Sequence, residues 1–495
     1  MLAAIQSTVI LGVEALPVQI EVDVSHGLPQ FAVVGLPDVA VRESRDRVRA
    51  AIRNSGFEFP PHRITVNLSP ANVPKGGTSF DLAIALGLLA TSDQVPGRNL
   101  PGTLVLGELS LDGAINPVRG VLATALAARR AGIGRLLVPR ANAPEAAVVD
   151  GLAVCAVSTL AGAVDAIANP GAAPAVAAPA GPQPEVHDLD LAEVSGQLLA
   201  RRALEVAAAG GHNLLFIGPP GTGKTMLARR LPTILPALTL EERLEVSAIH
   251  SVAGTLPAGT GLLATRPFRA PHHSASHVAL IGGGATPRPG EVTLAHHGVL
   301  FLDECPEFGH RALEALRQPL EERAVTVSRA AGAVRFPARF LLVAAMNPCP
   351  CGYRGHPHRP CTCSDGQATR YAGRLSGPLL DRIDLTVRLA PVTASELGAG
   401  IAETSAGVLA RVLGARAAQA TRSGGLLNGE LRGPHVARAA QPTDRAAAML
   451  RKASERLGLS ARSHHRLLAV ARTIADLDAH PVVEARHLAE ALQFR

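Results

Sequence analysis

Residues 213–225 of this 495-residue chain have the sequence NLLFIGPPGTGKT. An apolar run, Asn213–Ile217, leads into a loop rich in glycine and proline, and a helix-forming stretch follows. Glycines let successive backbone N–H groups face an anion, and the first turn of a helix adds positive potential. The pattern therefore predicts a buried strand, a phosphate-binding loop and a helix, in that order.

The loop contains the residues that we expect to hold ATP. They are Gly218, Pro219, Pro220, Gly221, Thr222, Gly223, Lys224 and Thr225. We expect Lys224 to reach the β- and γ-phosphates, and the Thr225 hydroxyl to bind Mg²⁺. The chain has three lysines against 45 arginines, so a lysine inside this motif is poorly explained by chance.

Two later strands supply polar residues that suit the same site. About 80 residues after the loop, the apolar run 298–302 ends in Asp303 and Glu304. We expect Asp303 to hold the Mg²⁺ shell and Glu304 to polarise the attacking water. Leu341–Met346 predicts another buried strand, and Asn347 at its end suits a sensor of the γ-phosphate or of the lytic water.

This series of strands and polar residues resembles the AAA+ ATPases. The resemblance implies a ring, usually a hexamer, in which an arginine of the neighbouring subunit completes each site. Leu379–Leu385 resembles the family segment that provides this arginine, which indicates Arg382. Ser460-Ala-Arg462 resembles the second sensor, and Arg466, one turn further on, is a rival for that role.

Two further features resemble the magnesium-chelatase and MCM branch of AAA+ proteins. About 75 residues separate Thr225 from Asp303, which an insertion in the second core helix would explain. Val325–Arg329 and Val334–Phe340 predict a β-hairpin before the sensor strand. In DNA motors of that branch such hairpins project into the ring pore, so four arginines are candidate phosphate contacts, with ordinary surface roles as the alternative. They are Arg266, Arg269, Arg329 and Arg335.

Several longer stretches resemble the ComM/YifB family of magnesium-chelatase-like ATPases. They include APHHSAS, LAHHGVLFLDE, LVAAMNPCPCG and LSGPLLDRIDL, together with VVGLPD, VNLSPA and KGGTSFDLAIALGLL nearer the start. The resemblance covers essentially the whole chain. It implies an ATP-driven hexameric motor on DNA, acting as a helicase or in branch migration during recombination or natural transformation. The alternative is a chelatase-type ATPase that remodels a partner protein, which the nucleotide core alone does not exclude.

Composition and charge exclude several other classes of protein. Apolar residues make up 47% of the chain and charged residues 18%, which excludes a mainly disordered protein. The longest uncharged stretch, 166–184, holds five prolines, and residues 1–11 hold no basic residue, so we expect neither a membrane span nor a leader. We expect a cytoplasmic protein. Residues 181–495 carry 35 basic and 27 acidic side chains, against 13 and 14 in residues 1–180, so a polyanion suits the second part better.

The alanine- and proline-rich stretch 169–184 predicts a linker between two parts. Before it, alternating strands and helices predict an α+β domain over 1–168. The expected elements there are strands Thr103–Leu109 and Arg135–Val138 and helices Val41–Asn54 and Phe80–Ala90. After it we expect an α/β P-loop AAA+ core over 185–392 and a helical lid over 393–495.

The N-terminal part resembles the Lon-protease fold, which is ribosomal protein S5 domain 2-like. Pro74–Ser79 and the helix after it resemble the nucleophile segment of the Lon-type Ser-Lys proteases. In that family the base lysine follows a Pro-hydrophobic-Gly-Gly turn, and here the equivalent position is Leu122. Lys75 lies on the same loop as Ser79 and is a doubtful base, so we expect the fold without proteolysis. An ATP-dependent protease stays as a third hypothesis.

Four cysteines lie within fifteen residues in the pattern C-x-C-x₉-C-x-C. They are Cys349, Cys351, Cys361 and Cys363. Four thiolates suit tetrahedral Zn²⁺, although this spacing is tighter than the usual C-x₂-C. Structural zinc is therefore expected, with free thiols or a redox-labile disulfide as alternatives. The histidines at 272, 273, 277, 296 and 297 have no cysteine at ligand spacing and are expected to be polar or DNA-facing.

Overall fold

The computed structural model describes residues 2–171, 176, 188–284, 287–329, 332–393 and 402–495. Most of the linker expected over 169–184 and the first residues of the expected lid lie outside these ranges. Among the described residues, no helix combines the length and the apolar character needed to span a bilayer.

The N-terminal part is built on a mixed seven-stranded sheet, beside which lies a small ribbon of β6 and β7. Its strands are β1 (Leu2–Leu11), β2 (Glu14–Ser25), β3 (Gln30–Val34), β4 (Arg63–Ser69), β5 (Thr103–Val105), β6 (Glu108–Leu109), β7 (Ile115–Asn116), β8 (Arg135–Pro139) and β9 (Ala153–Val157). The order in the sheet is β3-β4-β2-β1-β5-β8-β9, and the four neighbouring strands β1, β5, β8 and β9 are parallel.

Six helices pack on this sheet. They are α1 (Val39–Arg42), α2 (Ser44–Asn54), α3 (Asp81–Thr91), α4 (Val121–Arg130), α5 (Ala143–Ala146) and α6 (Leu160–Ala168). Helix α3 is apolar on every side after its first residue, and it is buried along its whole length. Gly87 lets it approach the sheet, because a Cβ there would lie 2.6 Å from a methyl group of Val22.

A second sheet of five parallel strands follows, accompanied by two short ribbons. The strands are β10 (Leu214–Ile217), β11 (Phe268–Arg269), β12 (Gly282–Gly283), β13 (Arg288–Pro289), β14 (Val299–Leu302), β15 (Ala324–Arg329), β16 (Gly332–Pro337), β17 (Leu341–Met346) and β18 (Leu385–Arg388). The sheet order is β11-β14-β17-β10-β18, whereas β12 pairs with β13 and β15 with β16. All carboxyl ends of the five-stranded sheet therefore lie at one edge.

Helices cover both faces of this second sheet. They are α7 (Leu198–Gly210), α8 (Lys224–Arg230), α9 (Leu240–Ala253), α10 (His277–Ile281), α11 (Glu291–Leu294), α12 (His310–Ala315), α13 (Arg317–Glu322), α14 (Asp365–Ala372) and α15 (Gly377–Leu380). The described residues after 401 form α16 (Ser405–Ser423), α17 (Pro434–Ala440), α18 (Asp444–Leu457), α19 (Ala461–Leu477) and α20 (Ala485–Leu492). One apolar core joins these last helices to α7 and to the sheet.

The two parts touch at two places. Helix α9 packs on α4, where the Gly120 N–H donates to the Ser251 carbonyl (3.2 Å) and the Ser251 hydroxyl donates to the buried Glu145 carboxylate (2.5 Å). Burial raises the pKa of Glu145. At the second place the β1–β2 turn meets the β15–β16 hairpin, and a Cβ at Gly12 would lie 2.4 Å from a methyl group of Val334.

The α/β class expected from the sequence is confirmed, and several elements differ in their bounds. The helix expected over Val41–Asn54 is divided at Glu43, and the strand expected over Thr103–Leu109 is divided into β5 and β6. The second hairpin strand ends at Pro337 instead of Phe340. The Ala338 N–H still donates to the Arg323 carbonyl, but Arg323 has a left-handed φ of +55°, so the extended pairing stops there. The β12–β13 ribbon lies within the long segment between Thr225 and Asp303, where we expected an insertion.

Two residues of the Lon-like segments, Leu122 and Lys75, are buried and hydrogen-bonded within the N-terminal part. Leu122 is fully buried, and its backbone N–H donates to the Glu145 carboxylate (3.3 Å). The Lys75 side chain is also fully buried, and its ammonium group donates to the Pro70 carbonyl. Burial lowers the pKa of Lys75. The burial of these two residues supports the expectation that the domain is not proteolytic, which stays a prediction.

Candidate nucleotide-binding site

The phosphate loop lies between β10 and α8, at the edge where the strands of the second sheet end. Gly221 and Gly223 have φ angles of +81° and +86°, which only glycine adopts without strain. Gly218 runs against the backbone of Leu389, where a Cβ would lie 2.8 Å from the carbonyl oxygen. Helix α8 begins at Lys224, so its free N–H groups face the loop. The chain thus forms the cradle that the motif predicts.

Lys224 joins the loop to the neighbouring strand. Its ammonium group donates to the carbonyls of Gly218 (2.7 Å) and Pro219 (2.9 Å) and to the Asn347 side-chain oxygen (3.1 Å). Burial lowers the pKa of Lys224, and the carboxylates of Asp303 and Glu304 oppose that shift. The structure therefore brings the expected phosphate ligand and the expected sensor into direct contact.

Thr225 and Asp303 form the second contact across the site. The Thr225 hydroxyl donates to the Asp303 carboxylate at 2.6 Å. A hydroxyl and a carboxylate oxygen are hard ligands of the kind that Mg²⁺ prefers, and they lie beside the ammonium group that would face the phosphates. Both residues fit the magnesium role expected from the sequence.

Glu304 stands at the end of β14 in an uncommon conformation. Its φ is +49°, a left-handed value that costs a non-glycine residue about 1 kcal/mol or more. Its side chain is 53% exposed and lies 3.3 Å from Nδ1 of His273. The exposed fraction of this side chain leaves its carboxylate accessible to water. His273 was not among the site residues expected from the sequence, since its contact with Glu304 spans 31 positions and leaves no local pattern.

Arg382 and Arg462 lie at the opposite edge of the same sheet. Both guanidinium groups contact one carboxylate, that of Glu321, at 2.6 and 2.7 Å. The Arg382 carbonyl accepts from Asn213, the residue before β10, whereas Lys224 follows the other end of that strand. Four residues of strand separate the two edges by about 13 Å. Neither arginine is therefore near the phosphate loop of its own chain.

Arg466, the rival second sensor, has a more enclosed position. Its guanidinium lies 3.4 Å from the Asp384 carboxylate, and both side chains are largely buried. Burial lowers the pKa of Arg466 to about 10. Arg462 is 39% exposed and so is better placed to meet a second molecule.

A cavity of about 130 Å³ opens at this second edge. Eight of the described arginines line it, Arg382 and Arg462 among them, together with three carboxylates, those of Glu242, Asp384 and Glu430. Such an excess of guanidinium groups in one concave surface suits a phosphorylated ligand.

The four arginines proposed to contact DNA have different surroundings. Arg266 is buried, pairs with Glu242 (3.0 Å) and donates to the Pro236 carbonyl (2.6 Å), so its donors are used within the chain. Arg269 forms a two-pronged pair with Glu291 at 2.7 and 2.9 Å. These contacts do not favour DNA roles for Arg266 and Arg269. Arg335 is exposed on β16, and the side chain of Arg329 is outside the described part of the chain. For these two, DNA contact stays a prediction.

The four expected zinc ligands converge, with their sulfur atoms all within 4.8 Å of one another. Backbone N–H groups of Tyr353 and Thr362 lower the pKa of Cys351 to about 5, whereas burial and the neighbouring sulfurs raise the pKa of Cys361 to about 11. The cluster without metal therefore favours a thiolate at Cys351 over one at Cys361. The four cysteines are unbonded to each other in this structure.

A second cluster joins Glu245 to His296 and His297. The Arg339 N–H donates to Nδ1 of His296 (3.0 Å), so the neutral ring carries its proton on Nε2, which faces Glu245 (3.1 Å). That nitrogen has no free lone pair for a metal. The cluster is therefore a hydrogen-bonded bridge between α9 and the residues before β14.

Family models match three parts of the chain. The model described as magnesium chelatase, subunit ChlI, matches residues 190–397. The model described as subunit ChlI of Mg-chelatase matches residues 20–142, and that for the subunit ChlI C-terminal part matches residues 402–495.

Full-length relatives are known in several bacteria. An uncharacterized protein of Mycobacterium tuberculosis is 47% identical over 99% of this chain and 97% of its own. Competence protein ComM of Haemophilus influenzae is 45% identical, and the uncharacterized protein YifB of Escherichia coli is 44% identical, each over all of this chain and 97% of its own. A Lon protease of Chloroflexus aurantiacus is 30% identical over 131 residues, 25% of this chain and 16% of the protease.

Proposed function

Because the chain belongs to the ComM/YifB family of magnesium-chelatase-like AAA+ ATPases, we propose that it hydrolyses ATP at the loop 218–225. The observation that carries this proposal is the pair of contacts across the site, Lys224 with Asn347 and Thr225 with Asp303. Lys224 and the N–H groups of the loop bind the phosphates, and Thr225 and Asp303 hold Mg²⁺. When bound, the metal offsets negative charge on the β- and γ-phosphates.

Glu304 and Asn347 act on the attacking water. The Glu304 carboxylate accepts a proton from water as the water oxygen bonds to the γ-phosphorus, while the bond from that phosphorus to the β,γ-bridging oxygen breaks and ADP leaves. Asn347 orients that water or the γ-phosphate. His273 holds Glu304 from the other side, at 3.3 Å. Asp303 accepts from the Thr225 hydroxyl whereas Glu304 contacts His273, so we assign the two carboxylates different tasks in the reaction.

Arg382 and Arg462 serve the site of a neighbouring subunit, in a ring that we propose to be a hexamer. Both lie at the amino-terminal edge of the sheet, about 13 Å or more from the phosphate loop of their own chain. The arginine-lined cavity between them and α16 gives a second chain's nucleotide a cationic face. In this structure Glu321 occupies both guanidinium groups, so a phosphate must replace that carboxylate.

The motor acts on DNA, in branch migration or as a helicase during recombination or natural transformation. A full-length relative at 45% identity is named a competence protein, and the basic excess of this chain lies in residues 181–495. The β15–β16 hairpin supplies a contact to the DNA backbone through Arg335, and through Arg329 at its tip.

A second candidate is an ATPase that remodels a partner protein. The observation that favours it is the match of three family models whose descriptions name a magnesium chelatase subunit. In that case a partner protein, and not DNA, stimulates hydrolysis.

The two candidates are separated by measuring ATP hydrolysis with and without a four-way DNA junction, over a series of salt concentrations. We expect several-fold stimulation that fades as salt rises, because a protein that grips phosphates releases counterions. Arg335→Ala weakens the stimulation, and the exposed Arg45→Ala on the N-terminal part is the matched control. Unchanged hydrolysis with the junction at every salt concentration would favour the partner-protein candidate.

The remaining parts of the proposal concern organisation. Residues 1–168 form a non-proteolytic Lon-like domain, 169–184 a linker, 185–392 the ATPase core and 393–495 a helical lid. Casein degradation that depends on Ser79 would overturn the first of these assignments. We place the protein in the cytoplasm, and we propose structural Zn²⁺ on the four clustered cysteines.

A further inference from the structure

The four clustered cysteines close a loop of residues 349–363, which we call the cysteine loop. Its first pair follows the sensor residue Asn347 by two positions, and Cys349 is buried. Three of the sulfur pairs are 3.4, 3.6 and 3.6 Å apart, between Cys349, Cys351 and Cys361. In a tetrahedral site with Zn–S bonds of about 2.3 Å, neighbouring sulfurs are about 3.8 Å apart. Three sulfur positions therefore match a four-thiolate zinc site closely, and the Cys363 sulfur lies within 4.8 Å of them.

Backbone groups around the cluster support thiolate ligands. The Cys351 N–H lies 3.4 Å from the Cys363 sulfur, and the Cys363 N–H lies 3.4 Å from the Cys361 sulfur. Such N–H donors disperse the charge of thiolates and fix their direction, as outer hydrogen bonds do around structural zinc.

The cysteine loop is packed directly on the phosphate loop. Gly352 is buried with a φ of +85°, and a Cβ there would lie 2.8 Å from Cδ and 2.9 Å from Cγ of Pro220. The same Cβ position is 3.8 Å from the Asn347 side chain, which accepts from Lys224. One turn of the cysteine loop thus touches both the phosphate loop and the sensor.

We propose that zinc on the cysteine loop holds Gly352 against Pro220 and thereby fixes the phosphate loop and Asn347 in the geometry that binds nucleotide. Without the metal, the fifteen residues 349–363 lose their cross-link, and the support under Pro220 is released. Zinc occupancy then sets the affinity for ATP, although no zinc ligand touches the nucleotide. This inference rests on the proposed ATP site.

The first experiment measures metal and nucleotide separately on the full-length protein. We expect about one zinc per chain by elemental analysis, and Co²⁺ in its place should give the intense sulfur-to-metal absorption of a tetrahedral thiolate site. Cys361→Ser, or removal of zinc by a chelator, should weaken the binding of a non-hydrolysable ATP analogue about tenfold. Readdition of zinc should restore it in the chelated protein.

Gly352→Ala tests the packing without touching a zinc ligand. The added methyl group overlaps Pro220, so we expect zinc content and the Co²⁺ spectrum to persist while nucleotide affinity falls about tenfold. Gly355→Ala is the matched control, because Gly355 also has a positive φ, +78°, but a Cβ there meets nothing within 4 Å. This control should keep both zinc and affinity.

Several outcomes would overturn the inference. They are a purified chain without zinc, a zinc-free chain that binds nucleotide as tightly as the zinc-loaded one, and a Gly352→Ala chain with normal affinity. Failure of the proposed ATP site looks different, since the zinc-loaded wild-type chain would then bind no nucleotide at all.

Discussion

Lys224 is the residue on which nucleotide binding depends most directly. It links two loop carbonyls to the sensor Asn347, and its charge faces the place that the phosphates would take. We expect Lys224→Ala to weaken ATP binding by about a hundredfold, the cost of losing charge-assisted hydrogen bonds to phosphate. Titration with a fluorescent ATP analogue measures this. Lys452→Ala, at an exposed lysine of α18, should bind normally, and equal loss in both variants would contradict the assignment.

Glu304 should affect turnover and not binding. We expect Glu304→Gln to keep ATP affinity and to lower kcat by about a thousandfold, because an amide does not accept the proton of water. Single-turnover assays with radiolabelled ATP distinguish trapped ATP from released product. Hydrolysis at the wild-type rate would show that another group activates the water.

His273 tests whether the position of Glu304 matters. Its ring lies 3.3 Å from the carboxylate, so His273→Ala should leave affinity unchanged and reduce kcat by about tenfold through a misplaced base. His277→Ala is the control, since His277 is an exposed histidine at the start of α10. A change in KM without a change in kcat would assign His273 to binding instead.

The local sequence predicted the roles of some residues of the nucleotide site but not of others. Gly218 to Thr225, Asp303 and Asn347 belong to short patterns that follow buried strands, so local sequence was enough. The roles of Glu321 and His273 depend on contacts between distant segments. Arg266 was proposed as a DNA contact by analogy with DNA motors whose hairpins project into the ring pore. Nothing near it in sequence indicated that it would pair with Glu242 and donate to the Pro236 carbonyl.

At the scale of elements, α9 is tied to the residues before β14 by a charged bridge. His297 lies between Glu242 (3.2 Å) and Glu245 (3.0 Å), and these carboxylates raise its pKa despite burial. Arg266 also faces Glu242, and His296 stays neutral because burial lowers its pKa.

This bridge gives folding stability a pH dependence of known sign. A raised pKa in the folded state means that the contribution of His297 is complete below pH 6.5 and is lost as pH rises through the raised pKa. We expect the free energy of unfolding to fall by about 1.5 kcal/mol over that range, the lower end for a hydrogen bond to a charged group. Urea titrations at pH 6 and pH 8.5 measure it. His297→Asn should flatten the dependence, whereas His277→Asn should not.

The bounds of a strand or helix were predictable where the apolar character of the sequence alone determines them. Strand β17 coincides with the expected Leu341–Met346, because it is apolar throughout and central in its sheet. The expected helix Val41–Asn54 is interrupted at Glu43, where the hydrogen bonding changes: the Glu43 N–H donates to the Val39 carbonyl, and the Asp46 N–H to the Glu43 carbonyl. Apolar periodicity does not encode such a break.

At the scale of the whole molecule, the proposed role of Arg382 at a neighbouring subunit's site predicts that two inactive variants complement each other. Arg382→Ala should bind ATP normally and hydrolyse it poorly. Lys224→Ala should bind ATP weakly and also hydrolyse it poorly. In an equal mixture, about a quarter of the interfaces pair an intact phosphate loop with an intact Arg382, if rings assemble at random. Partial recovery of hydrolysis in the mixture is therefore expected. No recovery, in rings shown to contain both variants, would contradict action on a neighbour.

The contact of Gly12 with Val334 places the β15–β16 hairpin against the end of a well-supported sheet. Strands β1 and β2 lie inside the seven-stranded sheet, between β4 and β5. A Cβ at Gly12 would lie 2.4 Å from a methyl group of Val334. Gly12→Ala would therefore force the turn and the hairpin apart, and so perturb the hairpin from the N-terminal part without changing any residue of the phosphate loop.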